Sequence, residues 1–219
     1  MQERRDSAPC YRDYVIKDGV FVGKFEEMYR DVPDPWGCVE KAHALQNRLF
    51  LDLLHEQPPG GHALDVGCGL GSLAAQICKV VRPIEMSAFD VSLTAIEKAR
   101  ATVQSVHFFV HDLVKEPILP FSAGYFSLVT VSEVIWYILP VLREACREFH
   151  RLLSPSGRLV IKQSFLPPGQ QKYGTDIVSK PADLVRFVQG AKLEVEREIL
   201  LIESSGERMI IVSALQARA

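Results

Sequence analysis

The chain has 219 residues, 47% apolar and 24% charged, with a formal net charge of −2. That length and balance fit one globular domain with a sizeable core, and no basic run points to nucleic acid or an anionic membrane. No apolar stretch reaches the roughly 20 residues of a spanning helix, and Met-Gln-Glu-Arg-Arg-Asp at the start lacks a signal peptide's apolar region, so a cytoplasmic protein is expected.

In chain order, residues 1–39 are rich in charge and aromatics, show no sustained periodicity, and end among Pro33, Pro35 and Gly37. They are expected to form a lid or substrate-side segment ahead of a domain over 40–219. Apolar residues recur at helical spacing from Val39 to His55 (Ala42, Leu45, Leu49, Leu53), until the prolines and glycines of 57–61 stop the helix. A short apolar run, Ala63, Leu64 and Val66, then reads as a strand. Helix 71–80, strand 83–89, helix 92–103, strands 106–110 and 125–131, helix 140–152 and strand 157–163 follow. Such alternation argues for a parallel, doubly wound sheet covered by helices on both faces. The tail departs from it: 181–190 reads as a helix, and strands 193–203 and 207–215 flank the turn Ser204-Ser205-Gly206.

The most informative stretch is Asp65-Val-Gly67-Cys-Gly69-Leu-Gly71, between the first strand of that series and its helix. Glycines let a ligand lie against bare backbone, and the helix start offers unpaired N–H groups. A dinucleotide turn spaces its glycines G-x-G-x-x-G. Here they alternate, and an acid precedes them by two. That acid would repel a pyrophosphate but could receive the ammonium of an amino-acid-like ligand. A second acid, Asp90, ends the next strand nineteen residues past Gly71, where α/β nucleotide folds bind ribose hydroxyls.

These elements together resemble the class I S-adenosylmethionine (SAM) methyltransferases. The resemblance covers roughly residues 60–165. It implies an α/β, Rossmann-like fold: a doubly wound, seven-stranded, mostly parallel sheet with a C-terminal antiparallel hairpin. It also implies a SAM site built from Asp65, Gly67, Gly69, Gly71, Asp90, Val91, Asp112, Leu113 and Ser132. Val91 would face the adenine, and Asp112 would accept from its amino group. Asp112 reads equally as the start of a turn.

Ahead of the glycine turn, Tyr29 and the Asp34-Pro35-Trp36 element resemble small-molecule N-methyltransferases of the nodulation type. In those enzymes this segment closes over the cofactor, where aromatic faces suit a sulfonium. Tyr29 and Trp36 are therefore expected at the cofactor, with a hydrophobic staple on the first helix as the alternative for Trp36. After Trp36 the chain departs from that subfamily.

For catalysis the candidates are Glu133 and Tyr137, with His111 behind them; His111 reads better as a strand-end histidine bonded to backbone. Trp136 and Tyr137 either wall the acceptor pocket or belong to the core. The five cysteines, Cys10, Cys38, Cys68, Cys78 and Cys146, form no C-x-x-C pair and read as scattered thiols. Neither an acidic cluster nor His/Cys spacing suggests a metal, and none is expected. The expected activity is methylation of a small molecule, at an amine of a sugar or natural-product intermediate. The alternatives are a hydroxyl acceptor, an RNA or protein acceptor, and SAM binding without catalysis.

Overall fold

The computed structural model describes residues 11–38, 44–56 and 60–216. The expected helix start at 39–43 therefore lies outside the described residues. The N-terminal segment comprises α1 (Tyr11–Tyr14), a two-stranded hairpin of β1 (Ile16–Lys17) and β2 (Val20–Phe21), and α2 (Phe25–Asp31). Then follow α3 (Leu45–His55), β3 (His62–Val66), α4 (Ser72–Val81), β4 (Glu85–Asp90), α5 (Leu93–Thr102), β5 (His107–Val110) and β6 (Phe126–Ser132). Two 3₁₀ turns, Ile135–Tyr137 and Leu139–Val141, lead into α6 (Leu142–Leu152) and β7 (Leu153–Phe165). The chain closes with α7 (Pro181–Gly190), β8 (Leu193–Ile202) and β9 (Arg208–Gln216).

The seven long strands form one sheet in the order β5-β4-β3-β6-β7-β9-β8. Every pairing from β5 to β7 is parallel, while β9 runs antiparallel to both β7 and β8. The expected hairpin is therefore present. Strand order reverses at β3, flanked by β4 on one side and β6 on the other, which opens a crevice at the carboxyl ends. β3 and β6 are buried on both faces, as strands under a double helical cover must be. One face packs on α6 and α7 through Leu64, Val129, Ile161, Phe149 and Leu184. The other packs on α3, α4 and α5 through Ala63, Leu128, Val160, Phe50, Ile77 and Ile96. No helix of the described residues is long and apolar enough to cross a membrane.

Among the boundaries that differ from the sequence expectation, two have a clear local cause. β7 starts at Leu153, directly after α6, rather than at 157. The Ser154-Pro155-Ser156-Gly157 stretch reads as a turn, but Leu153 pairs with Phe126 and the ladder resumes at Arg158 after a register shift. Ser156 at φ 66° takes up the irregularity. The helix expected from 140 begins at Leu142, because Pro140 lies in the preceding 3₁₀ turn.

Residues 11–38 are more structured than their aperiodic sequence suggested. Val15, Met28 and Tyr29 are fully buried against Ala95 of α5. The Glu26 carboxylate ties α2 to the start of α5, accepting from Ser92 Oγ (2.6 Å), Thr94 N (3.2 Å) and Thr94 Oγ1 (2.5 Å). Ser92, the N-cap of α5, accepts in turn from Ala95 N. These hydrogen bonds from Ser92 and Thr94 hold the Glu26 carboxyl below its ordinary range. A depressed folded-state pKa stabilises at neutral pH, and the benefit fades as pH falls through that value. Glu26→Ala is accordingly expected to cost about 1 kcal/mol at pH 7, the low end for an exposed charged cap. Urea unfolding should show the difference from the parent protein beginning to shrink below about pH 4 and disappearing only once the pH is under the depressed folded-state value.

Candidate functional site

The turn after β3 is held by its neighbours. Cys68 N–H donates to Phe89 O (2.8 Å), and Gly69 N–H donates to Asp90 Oδ2 (2.9 Å). Gly69 (φ 53°) and Gly71 (φ 78°) sit in the left-handed region, and Gly71 caps α4. A Cβ on Gly71 would fall 2.7 Å from the Phe108 ring, and one on Gly69 would fall 2.7 Å from the Tyr29 hydroxyl. Glycine is therefore needed twice, for backbone angle and for space.

Asp65 lies behind this turn with 1% of its surface exposed. Its Oδ1 accepts from Thr130 Oγ1 (2.8 Å), whereas the buried Oδ2 has no partner. Burial pushes its pKa up to about 7, while Thr130 and the Lys162 ammonium pull it down. Strand alternation places Thr130 and Lys162 on the same sheet face as Asp65. Lys162 is itself buried, bonded to Asn47 on α3 and lying over the Phe50 ring. Thr130 and Lys162 escaped sequence reasoning. Their signal was the two-residue period, which puts Thr130 two positions before Ser132 at the same strand end.

Asp90 is buried at the end of β4, and burial raises its pKa. Its Oδ2 takes the Gly69 N–H and its Oδ1 the Ser92 N–H (3.0 Å), each with a further lone pair available. Val91 follows it, 39% exposed, at the crevice mouth. Ser132 ends β6 on the same rim. Asp65, the three glycines, Asp90, Val91 and Ser132 thus share the carboxyl edge of the sheet at the switch point.

Other expected residues are engaged differently. Asp112 caps its own turn: Oδ1 accepts from Val114 N and Lys115 N, and Oδ2 pairs with Lys115 Nζ at 2.9 Å. Burial would raise its pKa, but Lys115 and these N–H groups hold it below the usual range. Asp112 thus starts a turn, as its sequence allowed. The Leu113 side chain is buried in the main core. His111 Nε2 lies 2.7 Å from Glu116 O, the backbone-bonded role favoured for it.

Glu133 sits in the left-handed region at φ 60°, a strained backbone for a side-chain-bearing residue. Its surroundings fix it there. Its N–H donates to Lys162 O, Oε2 accepts from Gln163 Nε2 (3.0 Å) and Ser164 N (2.9 Å), and Oε1 accepts from Ser164 Oγ (2.8 Å). Glu133 therefore clamps the ends of β6 and β7 together, and its carboxylate is committed to that task rather than free as a base. Tyr137, beside it, packs edge-on to Phe25 and near Trp36. Burial and the neighbouring Glu133 charge push its phenol far up. Trp136 is a core residue whose Nε1 donates to Ser164 O.

The two aromatics of the N-terminal segment meet each other. Trp36 Nε1 donates to the Tyr29 hydroxyl at 2.8 Å, and Tyr29 is 2% exposed against the glycine turn. Lys98 holds the Tyr29 carbonyl from α5.

Residues 64–161 match the methyltransferase domain model. Over that stretch the chain is similar to class I, SAM-dependent methyltransferase domains. A Pyrenophora dematioidea O-methyltransferase is 28% identical over 144 residues, which are 62% of this chain and 52% of that protein. The chain thus spans about half of that relative's length. A ubiquinone biosynthesis O-methyltransferase of Coxiella burnetii is 25% identical, covering 80% of this chain and 81% of the relative. Among solved structures, a putative methyltransferase in complex with the Haloferax volcanii Trm112 activator superposes with a TM-score of 0.72. It covers 89% of this chain and 98% of that one at 16% identity, a likeness of fold alone.

The residues fit the cofactor. An orphaned, buried Asp65 oxygen beside bare backbone suits an ammonium, and a second buried acid one strand away suits vicinal hydroxyls. Asp65→Asn should weaken SAM binding roughly ten- to a hundredfold, the loss of a hydrogen bond to a charged group. Because the folded-state pKa is raised, Asp65 stabilises the ligand-free fold fully below about pH 4 and ceases to do so as pH rises through about 7. Denaturation of the ligand-free protein should therefore show a decline between pH 5 and 8, on the order of 2 kcal/mol, that is absent in Asp65→Asn.

Proposed function

We propose that this protein transfers the methyl group of SAM to a small molecule, at an amine. The observation that carries the reading is the unpartnered, buried Asp65 carboxylate oxygen behind a turn of three alternating glycines. Asp65 would hold the ammonium of the cofactor's amino-acid end and Asp90 its ribose. When bound, SAM supplies a methyl on a positively charged sulfur, so the leaving group is already activated. The protein's contribution is then placement and exclusion of water.

An amine nucleophile needs no strong base, and this fits the state of the candidate bases. Glu133 is clamped by donors from β7, Tyr137 holds its proton, and His111 is bonded to Glu116 O. The second reading, methylation of a hydroxyl, is favoured by the names of the relatives, and Tyr137 is the side chain it would use. Tyr137→Phe separates the two. With labelled SAM and pools of amine and hydroxyl acceptors, the amine reading expects label in amines and less than about a threefold change in kcat. Hydroxyl transfer through Tyr137 expects a loss of about a hundredfold or more. Label in RNA or protein would overturn the small-molecule reading, and tight SAM binding without transfer to any pool would favour a non-catalytic role.

We further infer that residues 11–38 serve as a lid whose latch is the Trp36–Tyr29 hydrogen bond over Gly69. Hydrogen exchange over residues 25–36 should slow when S-adenosylhomocysteine is added. Trp36→Ala should raise the cofactor dissociation constant several-fold and lower thermal stability little. Full protection without ligand, with a large stability loss in Trp36→Ala, would instead make Trp36 a staple.

A further inference from the structure

A cavity of about 180 Å³ opens where β7 ends and β9 begins, away from the glycine turn. Phe165 and Pro167 give it an apolar side, and Gln171, Thr175 and Arg208 a polar one. Arg208 stands opposite Phe165 in the antiparallel ladder, so their side chains leave the same face about 5 Å apart. Arg30, Arg151, Arg158, Arg186 and Arg197 each pair with an acid. Arg208, half-buried at the cavity, is among the described arginines without an acid at ion-pair distance.

We propose that this cavity binds the carboxylate end of the methyl acceptor, with Arg208 as its counter-charge, an assignment that rests on the methyl-transfer reading above. A void of roughly 150 Å³ is enough for a benzene ring, so the cavity takes one end of a molecule rather than the whole. The remainder points along the sheet edge toward the donor. The buried Phe165 ring, 5.1 Å from the Trp136 ring, forms the wall between cavity and crevice past which the acceptor would run. Neighbouring strands are about 4.8 Å apart, so the ends of β7 and β9 lie roughly 10–14 Å from β3. An acceptor whose nucleophile and carboxylate are separated by roughly 10 Å reaches both.

The charge must be single. One guanidinium matches one planar carboxylate through its fork of N–H groups. On the rim, Ser179 donates to Asp183 Oδ2 (2.8 Å), whose charge is already matched by Arg186 (3.0 Å), so Arg208 stays available to a ligand. A phosphate dianion would set two charges against that one guanidinium, whereas a carboxylate sets one.

Hydrocinnamate, its methyl ester and phenyl phosphate provide the test, titrated by NMR against the parent protein, Arg208→Gln and Arg208→Lys. The acid should bind the parent at least tenfold more tightly than the ester. Arg208→Gln should lose at least tenfold for the acid and nothing for the ester, and Arg208→Lys should fall between. SAM affinity, measured on the same samples, should stay within twofold in all three proteins, which also controls for folding. The proposal is overturned if the acid does not bind the parent, if acid and ester bind alike, or if Arg208→Gln leaves acid binding unchanged. Tighter binding of phenyl phosphate with the same dependence on Arg208 would overturn the carboxylate assignment. Failure of the parent to bind SAM would instead remove the methyl-transfer reading and leave the acid site standing.

Discussion

A carboxylate taken out of water needs donors on both oxygens, and Asp65 has one. Thr130 supplies a single hydrogen bond, Lys162 supplies field rather than contact, and the Asp90 charge works against both. Burying a charge without full compensation is costly, so a fold that keeps Asp65 at its switch point carries a standing deficit of positive charge there. A ligand ammonium removes the deficit. The surrounding features serve that end: glycines let the ligand reach the backbone, and parallel strands bring both acids to one edge. The helix behind the turn leaves its first N–H groups pointing into the crevice.

The two acids divide the work because their partners differ. Asp90 is locked by the backbone of Gly69 and Ser92, which fixes the turn and leaves lone pairs for a neutral, hydroxyl-bearing ligand. Asp65, poorly compensated, suits a cation. Asp90 also begins a chain of contacts: it holds Ser92 N–H, Ser92 Oγ donates to Glu26, and Glu26 lies on the helix that carries Tyr29. A group bonded to Asp90 would therefore act on the residue that anchors the N-terminal segment, the physical link on which the proposed lid would depend.

Much of this was legible in the sequence, because periodicity and glycine spacing are local properties. The alternation from Ala63 onward, the acid two residues before Gly67 and the acid ending β4 each depend on neighbours close in the chain. What stayed hidden depends on distant partners. Glu133 reads as a free acid at a strand end until Ser164, 31 residues away, is seen to hold it. Asp112 carried two readings, and its contacts with Val114 and Lys115 show the turn it starts. Residues 11–31 looked aperiodic because their short elements bury only Val15, Met28 and Tyr29, and against another element rather than each other. β7 began early because a strand can absorb a Pro-Ser-Gly irregularity when its partner ladder resumes beyond it.

The acceptor side follows a different logic from the donor side. The donor crevice is made of backbone and two acids at the ends of β3 and β4, which any member of the fold can build. The wall proposed for the acceptor draws on segments with no common element: Phe25 and Trp36 of the N-terminal segment around Tyr137, and Tyr173 of the β7–α7 loop stacked on Phe21. Gly174 of that same loop lies so close to Leu139 that a Cβ would fall 2.1 Å from it. Rings pack these pieces together without spending charge, so the wall excludes water but discriminates weakly among apolar acceptors. Selectivity then has to come from polar groups at the margin of the wall. Residues such as Arg208, Gln171 and Thr175 are placed by a loop and a strand end rather than by the elements that hold Asp65 and its glycines.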